Sequence, residues 1–168
     1  MPLATFHQNE RLGEIVIDNP PQNLFSADLL ADLDVAVDQA ADSDIRALLL
    51  RAEGDDFSAG ADISIFIGLD QARAAELETT VASLIAAIED LPVPALAIIH
   101  GQCYAGALEV CLSCDLIWPA PSPTCRNEHA AGGQTNLSAG LRSSDAAGTT
   151  RPRECGAARF PMRSMTCR

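Results

Sequence analysis

Residues 95–110 read Ala95-Leu96-Ala97-Ile98-Ile99-His100-Gly101-Gln102-Cys103-Tyr104-Ala105-Gly106-Ala107-Leu108-Glu109-Val110, and their order decides the fold. The apolar run from Ala95 to His100 is too short for a helix and suits a strand buried inside a sheet. From Gly101 to Ala107 the side chains are small and the chain is free to turn. A helix then resumes through Glu109, Val110 and Leu112. An earlier stretch repeats the plan: Arg46-Ala47-Leu48-Leu49-Leu50-Arg51 is a second brief apolar run, read as a strand buried on both faces. A polar turn over Glu53 to Asp56 leads from it into Phe57-Ser58-Ala59-Gly60-Ala61-Asp62-Ile63.

The segments around these two units fit the same architecture. Gly13-Glu14-Ile15-Val16-Ile17-Asp18 is β-branched and stops at Asn19-Pro20-Pro21, the pattern of a strand ended by prolines. Ser26 is placed to cap a helix in which Leu29, Leu33, Ala36, Val37 and Ala40 recur at helical spacing, with Asp28, Asp32, Asp34 and Asp38 on the other faces. A second helix begins near Asp70, presents Leu77, Val81, Leu84, Ile85 and Ile88 on one face, and ends at Leu91-Pro92-Val93-Pro94. Asp115-Leu116-Ile117-Trp118 returns as a strand. Strand alternating with helix predicts an α/β fold whose sheet is mostly parallel.

In such sheets ligands gather at the carboxyl ends of the strands, where both small-residue loops fall. Small residues there leave backbone N–H groups bare and admit a close approach. The second loop also opens a helix, whose first N–H groups and dipole favour negative charge. Two converging donors of this kind form an oxyanion hole. Glu109 lies three residues beyond Gly106, on the same helical face, where a carboxylate can move a proton of a bound substrate. Each residue also has an ordinary reading. Glu109 alone is a solvated helix residue, Gly60 and Gly106 are turn glycines, Asp62 caps a helix starting at Ile63, and Asn23 serves a turn.

Composition narrows the function classes. The chain has 168 residues, 48% hydrophobic and 20% charged, with a formal charge of -12. No apolar run approaches the roughly 18 residues of a membrane span, and residues 1–11 lack the pattern of a secretory signal. The acidic balance repels phosphate backbones and argues against nucleic-acid binding. The expectation is a soluble cytoplasmic protein, its cysteines reduced. Composition breaks near Pro119, however. Residues 1–119 carry a charge of -16, whereas residues 120–168 carry +4, hold seven of the eleven arginines and contain neither Ile nor Val. That segment has too little apolar surface to offset the entropy of ordering it. Residues 1–119 are therefore read as the folded core, and 120–168 as a disordered or frame-shifted tail.

The two loop sequences, in this order and joined by the intervening helix, resemble the enoyl-CoA hydratase/isomerase (crotonase) family. The opening Ile15-Val16-Ile17-Asp18-Asn19-Pro20-Pro21-Gln22-Asn23 and the pair Cys114-Asp115 share the likeness, which covers roughly residues 10–119. It implies a spiral of ββα turns, truncated here, and acyl-CoA thioesters as substrates. The only cofactor-like group it implies is the coenzyme A carried by the substrate, with no metal. It further implies that Ala61 and Gly106 supply the amides that hold the thioester carbonyl, and that Glu109 is the catalytic acid/base. Ala59, Gly60, Ala61, Asp62, Ile63 and Ser64 would line the coenzyme A groove. Family members form trimers or hexamers. Ala105-Gly106-Ala107 replaces the family's run of three glycines, and Ser64 stands where many relatives carry Lys. His129 occupies the position of the second glutamate that hydratases use, and Glu128 is one residue off; a double-bond shift needs one carboxylate, so hydratase and isomerase both stay open.

Other readings compete. Cys103 follows a strand and opens a helix, as an elbow nucleophile does, with His100 or His129 as base; that arrangement suits an acyl hydrolase. Cys111-x-x-Cys114 with Cys125-x-x-x-His129 has a spacing zinc can use, but Cys111 and Cys114 fall on a helix face that the family buries. Cys155 and Cys167 have no assigned role. A non-catalytic fragment is the third alternative.

Overall fold

The computed structural model of the chain describes residues 1–68, 70–121 and 123–126. The β-branched run near residue 15 forms strand β2 (Leu12–Ile17), which pairs antiparallel with β1 (Ala4–Asn9). β1 carries no apolar pattern in sequence, because only Ala4 is buried and His7, Gln8 and Asn9 face water. Strands β3 (Ala47–Ala52), β4 (Ala95–Ile99) and β6 (Leu116–Pro119) follow in parallel, and the sheet runs β1-β2-β3-β4-β6.

Two long helices cover one face of this sheet. Helix α1 (Ala27–Ala41) starts at Ser26, whose hydroxyl accepts from the Leu29 N–H at 3.2 Å. It buries Leu29, Leu30, Leu33, Ala36, Val37 and Ala40 and leaves Asp28, Asp34 and Asp38 in solvent. Helix α2 (Gln71–Glu89) starts at Asp70, whose carboxylate accepts from the Arg73 N–H at 2.9 Å. Leu84 and Ile88 are buried, while Leu77, Val81 and Ile85 are half-buried. These side chains share one core with Ile15, Ile17, Leu48, Leu50, Ala97 and Ile99 of the sheet.

The double-sided burial expected of β3 and β4 holds for one face only. Leu48, Leu50 and Ala52 are buried, but Ala47, Leu49 and Arg51 are half-buried. The helices lie against the first set, whereas the second faces outward with the Arg51–Glu14 ion pair at 2.6 Å. The same outward face of β6 exposes Leu116 and Trp118, the latter at 67%.

A small second sheet stands beside the large one. β5 (Gln102–Tyr104) pairs in parallel with β7 (Thr124–Arg126), and Ser58 bridges to Cys103. Helix α3 (Gly106–Leu112) follows β5. The chain thus repeats a strand, a second extended segment and a helix, which is the α/β spiral of ββα turns expected from the resemblance. β7 lies beyond residue 119, with Cys125 buried opposite Cys103, so packed structure continues past that boundary. The remainder of segment 120–168, with Glu128, His129, Cys155 and Cys167, lies outside the described residues.

Between β4 and β5 the chain turns at Gly101 with φ +53°. A Cβ there would lie 2.2 Å from the Asp55 carbonyl oxygen and 2.9 Å from Asp56 Cα, so the backbone itself excludes any side chain. The Asp56 carboxylate then fixes the next residue, accepting from the Gln102 N–H at 2.8 Å and from Gln102 Nε2 at 3.1 Å. Gly101→Ala is expected to cost about 3 kcal/mol or more of unfolding free energy through overlap and positive φ together. Urea denaturation measures it, and an unchanged midpoint would contradict this turn.

Candidate active site

Three loops meet beyond the carboxyl ends of β3 and β4. Residues 57–62 and 100–106 run side by side: Phe57 N–H donates to His100 O at 2.9 Å, Ser58 N–H to Gln102 O at 2.9 Å, and Tyr104 N–H to Ser58 O at 3.1 Å. Ser58 is fully buried, and its hydroxyl accepts from the Gly60 N–H at 3.0 Å, which closes the turn below Ala61. The third loop, residues 19–25, binds the other side of the first. Ala59 N–H donates to Gln22 O at 3.0 Å, Phe25 N–H to Gly60 O at 2.9 Å, and Asp62 N–H to Phe25 O at 3.0 Å.

Asn23 anchors that third loop and is a turn residue. It is buried at φ +50°, accepts from Asn19 N–H at 2.8 Å, and donates to the carbonyls of Glu53 and Asp56 at 2.8 and 2.9 Å. Both polar atoms of its side-chain amide thus have partners, as burial of an amide requires.

The same pairing determines where the Ala61 amide points. Gly60 O and Asp62 N–H both face Phe25, so the alternation of an extended backbone turns the Ala61 N–H the other way. It has no protein acceptor among the described residues. The Gly106 N–H stands at the start of α3, where helical N–H groups have no partner within the helix. A Cβ on Gly106 would meet nothing within 4 Å, so this helix start opens on free space. A Cβ on Gly60 would lie 3.4 Å from Tyr104 O and 3.6 Å from Ala105 Cβ, which puts the two loops in contact at Gly60.

Ala105 precedes the helix at φ +48°, ψ -124°, dihedrals that cost an L-residue about 1–3 kcal/mol. Its carbonyl accepts from Leu108 N–H at 2.9 Å and Glu109 N–H at 3.1 Å. Helix α3 buries Ala107, Leu108, Val110 and Cys111, which leaves Gly106 and Glu109 half-buried on its other side. Glu109 therefore projects from the face that Gly106 opens.

On the other loop, Asp62 caps a short 3-10 helix, Ile63–Phe66. Its carboxylate accepts from Ser64 N–H at 2.8 Å, and that backbone bond holds the carboxyl below its ordinary range. Ser64 is exposed, as are Ile63, Phe66 and Ile67. The exposed apolar pair Phe66 and Ile67 goes unremarked in sequence, although its signal is the apolar run Ile65-Phe66-Ile67, which ends before the α2 cap.

Cys103 does not present a nucleophile, which corrects the acyl-hydrolase alternative. Alternation along β5 turns it inward, fully buried, with its Sγ 3.9 Å from Cys111 Sγ. The Cys111 sulfur and burial push its thiol far above the ordinary value. Burial likewise raises Cys111, and raises Cys114 to about 12. The neighbouring Cys103 sulfur raises Cys125. His100, offered as base, bonds through Nε2 to the Gly54 carbonyl at 2.9 Å instead. Among the described residues no group of three or more His, Cys, Asp and Glu is arranged to hold a metal ion; His129 of the zinc spacing lies outside them. No described helix is long and apolar enough to cross a membrane.

Comparison with known proteins agrees with this fold. The sequence profile of the family described as enoyl-CoA hydratase/isomerase matches residues 7–158. A Bacillus subtilis protein named "Probable enoyl-CoA hydratase" is 36% identical over 107 residues, 61% of this chain and 40% of the relative. The crystal structure of an enoyl-CoA hydratase from Thermoplasma volcanium superposes with a TM-score of 0.73 at 25% identity, over 79% of this chain and 54% of the other. Pseudomonas aeruginosa DspI superposes with a TM-score of 0.72 at 30% identity, over 83% and 58%. The chain thus spans about half the length of the proteins it matches. With the profile taking in most of its residues, the chain belongs to the enoyl-CoA hydratase/isomerase family.

Proposed function

We propose that the chain binds an acyl-CoA thioester with its carbonyl oxygen between the N–H groups of Ala61 and Gly106, and that Glu109 transfers a proton on the acyl chain. The contact of the two loops supports this reading most directly, since it sets side by side two amides that have no protein acceptor among the described residues. A thioester is a weak carbon acid until the enolate oxygen is stabilised, and fixed donors aimed at that oxygen act where charge develops. Glu109 is one helical turn beyond Gly106, the spacing a carboxylate needs to reach carbons next to a carbonyl held there. In a double-bond shift it would take a proton from one carbon and return it to another; in hydration it would exchange the proton with water. Ala59, Gly60, Asp62, Ile63 and Ser64 would bound the coenzyme A groove, and the exposed 3-10 helix gives that groove an open side. Coenzyme A enters as part of the substrate.

Three experiments test this reading. Glu109→Gln is expected to lower kcat by about 10²- to 10⁴-fold, while binding of a crotonyl-CoA substrate, measured by calorimetry, stays within about threefold of the parent. Loss of binding in step with turnover would count against the proton-transfer role. Gly106→Val should weaken ester binding and turnover together by about tenfold or more while the melting temperature stays near the parent's, because its branched side chain enters free space rather than packed structure. Under iodoacetamide the folded chain should leave Cys103, Cys111 and Cys125 unmodified in peptide mass maps, with full reaction in urea. Fast labelling of Cys103 with parallel loss of activity would instead favour the thiol nucleophile.

A further inference from the structure

The peptide between Ala105 and Gly106 is pulled in two directions. Its carbonyl accepts from the N–H groups of Leu108 and Glu109, and this holds the Gly106 N–H on the opposite side, outward from the helix start. Against those bonds stands the conformation of Ala105, φ +48° and ψ -124°, where the methyl crowds its own backbone and glycine is the natural occupant. A half-turn of this one peptide plane relaxes the strain. It carries Ala105, at nearly unchanged φ, to the left-handed region at ψ of about +30 to +60°. It asks positive φ of the next residue, which a glycine adopts freely.

One neighbour anchors the segment, and two others leave it uncrowded. Tyr104 is anchored upstream by its N–H on Ser58 O at 3.1 Å. Beside it, Gly106 has nothing within 4 Å of a notional Cβ, so the start of α3 is uncrowded on that side. Gly60 packs against this segment without crowding it, since even a Cβ there would stand 3.6 Å from the Ala105 methyl, an ordinary contact distance.

We infer that the Ala105–Gly106 peptide is a two-state gate on the oxyanion site, with Ala105 as the positioning residue that sets its balance. The inference rests on the role proposed above for the Gly106 amide. A thioester oxygen accepting from Gly106 N–H adds to the Leu108 and Glu109 bonds and selects the donor-inward state. In the empty site the strain of Ala105 draws the peptide toward the flipped state, and ester affinity is reduced by the fraction that remains inward. Ala105 acts through the amide that follows it and contacts no reacting atom.

Ala105→Gly in the full chain tests this, with acetoacetyl-CoA as the ester probe and free coenzyme A, which lacks the carbonyl, as control. In ligand-free protein, amide relaxation dispersion should report exchange at residues 105–107 that is lost in Ala105→Gly. Acetoacetyl-CoA should bind the variant about 5- to 30-fold more tightly, with coenzyme A unchanged. Flat dispersion in the parent, exchange that persists in the variant, or equal tightening of ester and free coenzyme A would each overturn the gate. Exchange quenched by the substitution, with neither protein binding the ester, would uphold the gate and overturn the acyl-CoA reading of the site.

Discussion

The short backbone ladder between residues 57–58 and 100–104 is the constraint on which the rest of the site depends. Its three N–H···O bonds join segments more than forty positions apart, and the Asp56 carboxylate and the His100 ring tie the same two segments just beside them. Each such bond contributes about 1 kcal/mol net, but Ser58 is fully buried, so breaking the ladder would strand donors and acceptors away from water at about 1–3 kcal/mol apiece. The ladder forms only because Gly101 lets the chain turn over Asp55 and Asp56, and because the Asp56 carboxylate then seizes Gln102. A bare amide at Ala61 and another at Gly106 follow from two chain segments that have already satisfied their neighbours with one another.

Much of this was legible in the residues, and the limits have physical causes. Brief apolar runs marked β3 and β4, and Ser26 and Asp70 marked the helix starts, because caps and strand length are local properties. The two small-residue loops and Glu109 were legible for the same reason. β1, β5 and β7 were not: a water-facing edge strand and three-residue strands hold no period of their own and exist only through distant partners. The outward half of β3 looked as apolar as its inward half, yet Leu49 stays half-exposed because the helices pack on one side. Sequence also left Cys103 facing either way. Pairing with Ser58 and Cys125 decides it, since β5 must turn Gln102 and Tyr104 to one side and Cys103 to the other.

That inward turn gives the active loop its footing. Cys103 meets Cys111 from the buried face of α3, and Leu108 and Val110 flank them. Sulfur is polarisable and tolerant of irregular gaps, so a seven-residue helix with no side-chain cap is held by its underside rather than by its own hydrogen bonds. The register of α3 is thereby fixed, and with it the direction of Glu109.

The far border of the large sheet has a separate consequence. β6 spends the amides of its even-numbered residues on β4, as the bond from Ala120 N–H to Ile99 O at 2.7 Å continues. The odd-numbered residues face outward, and there Pro119 has no hydrogen to offer. An incoming strand would find a gap in the row it must read, so growth of the sheet into stacked, fibre-like assemblies is discouraged at this rim. What the rim does offer a neighbour is oily side-chain surface at Leu116 and Trp118, which favours face-on contact over strand addition.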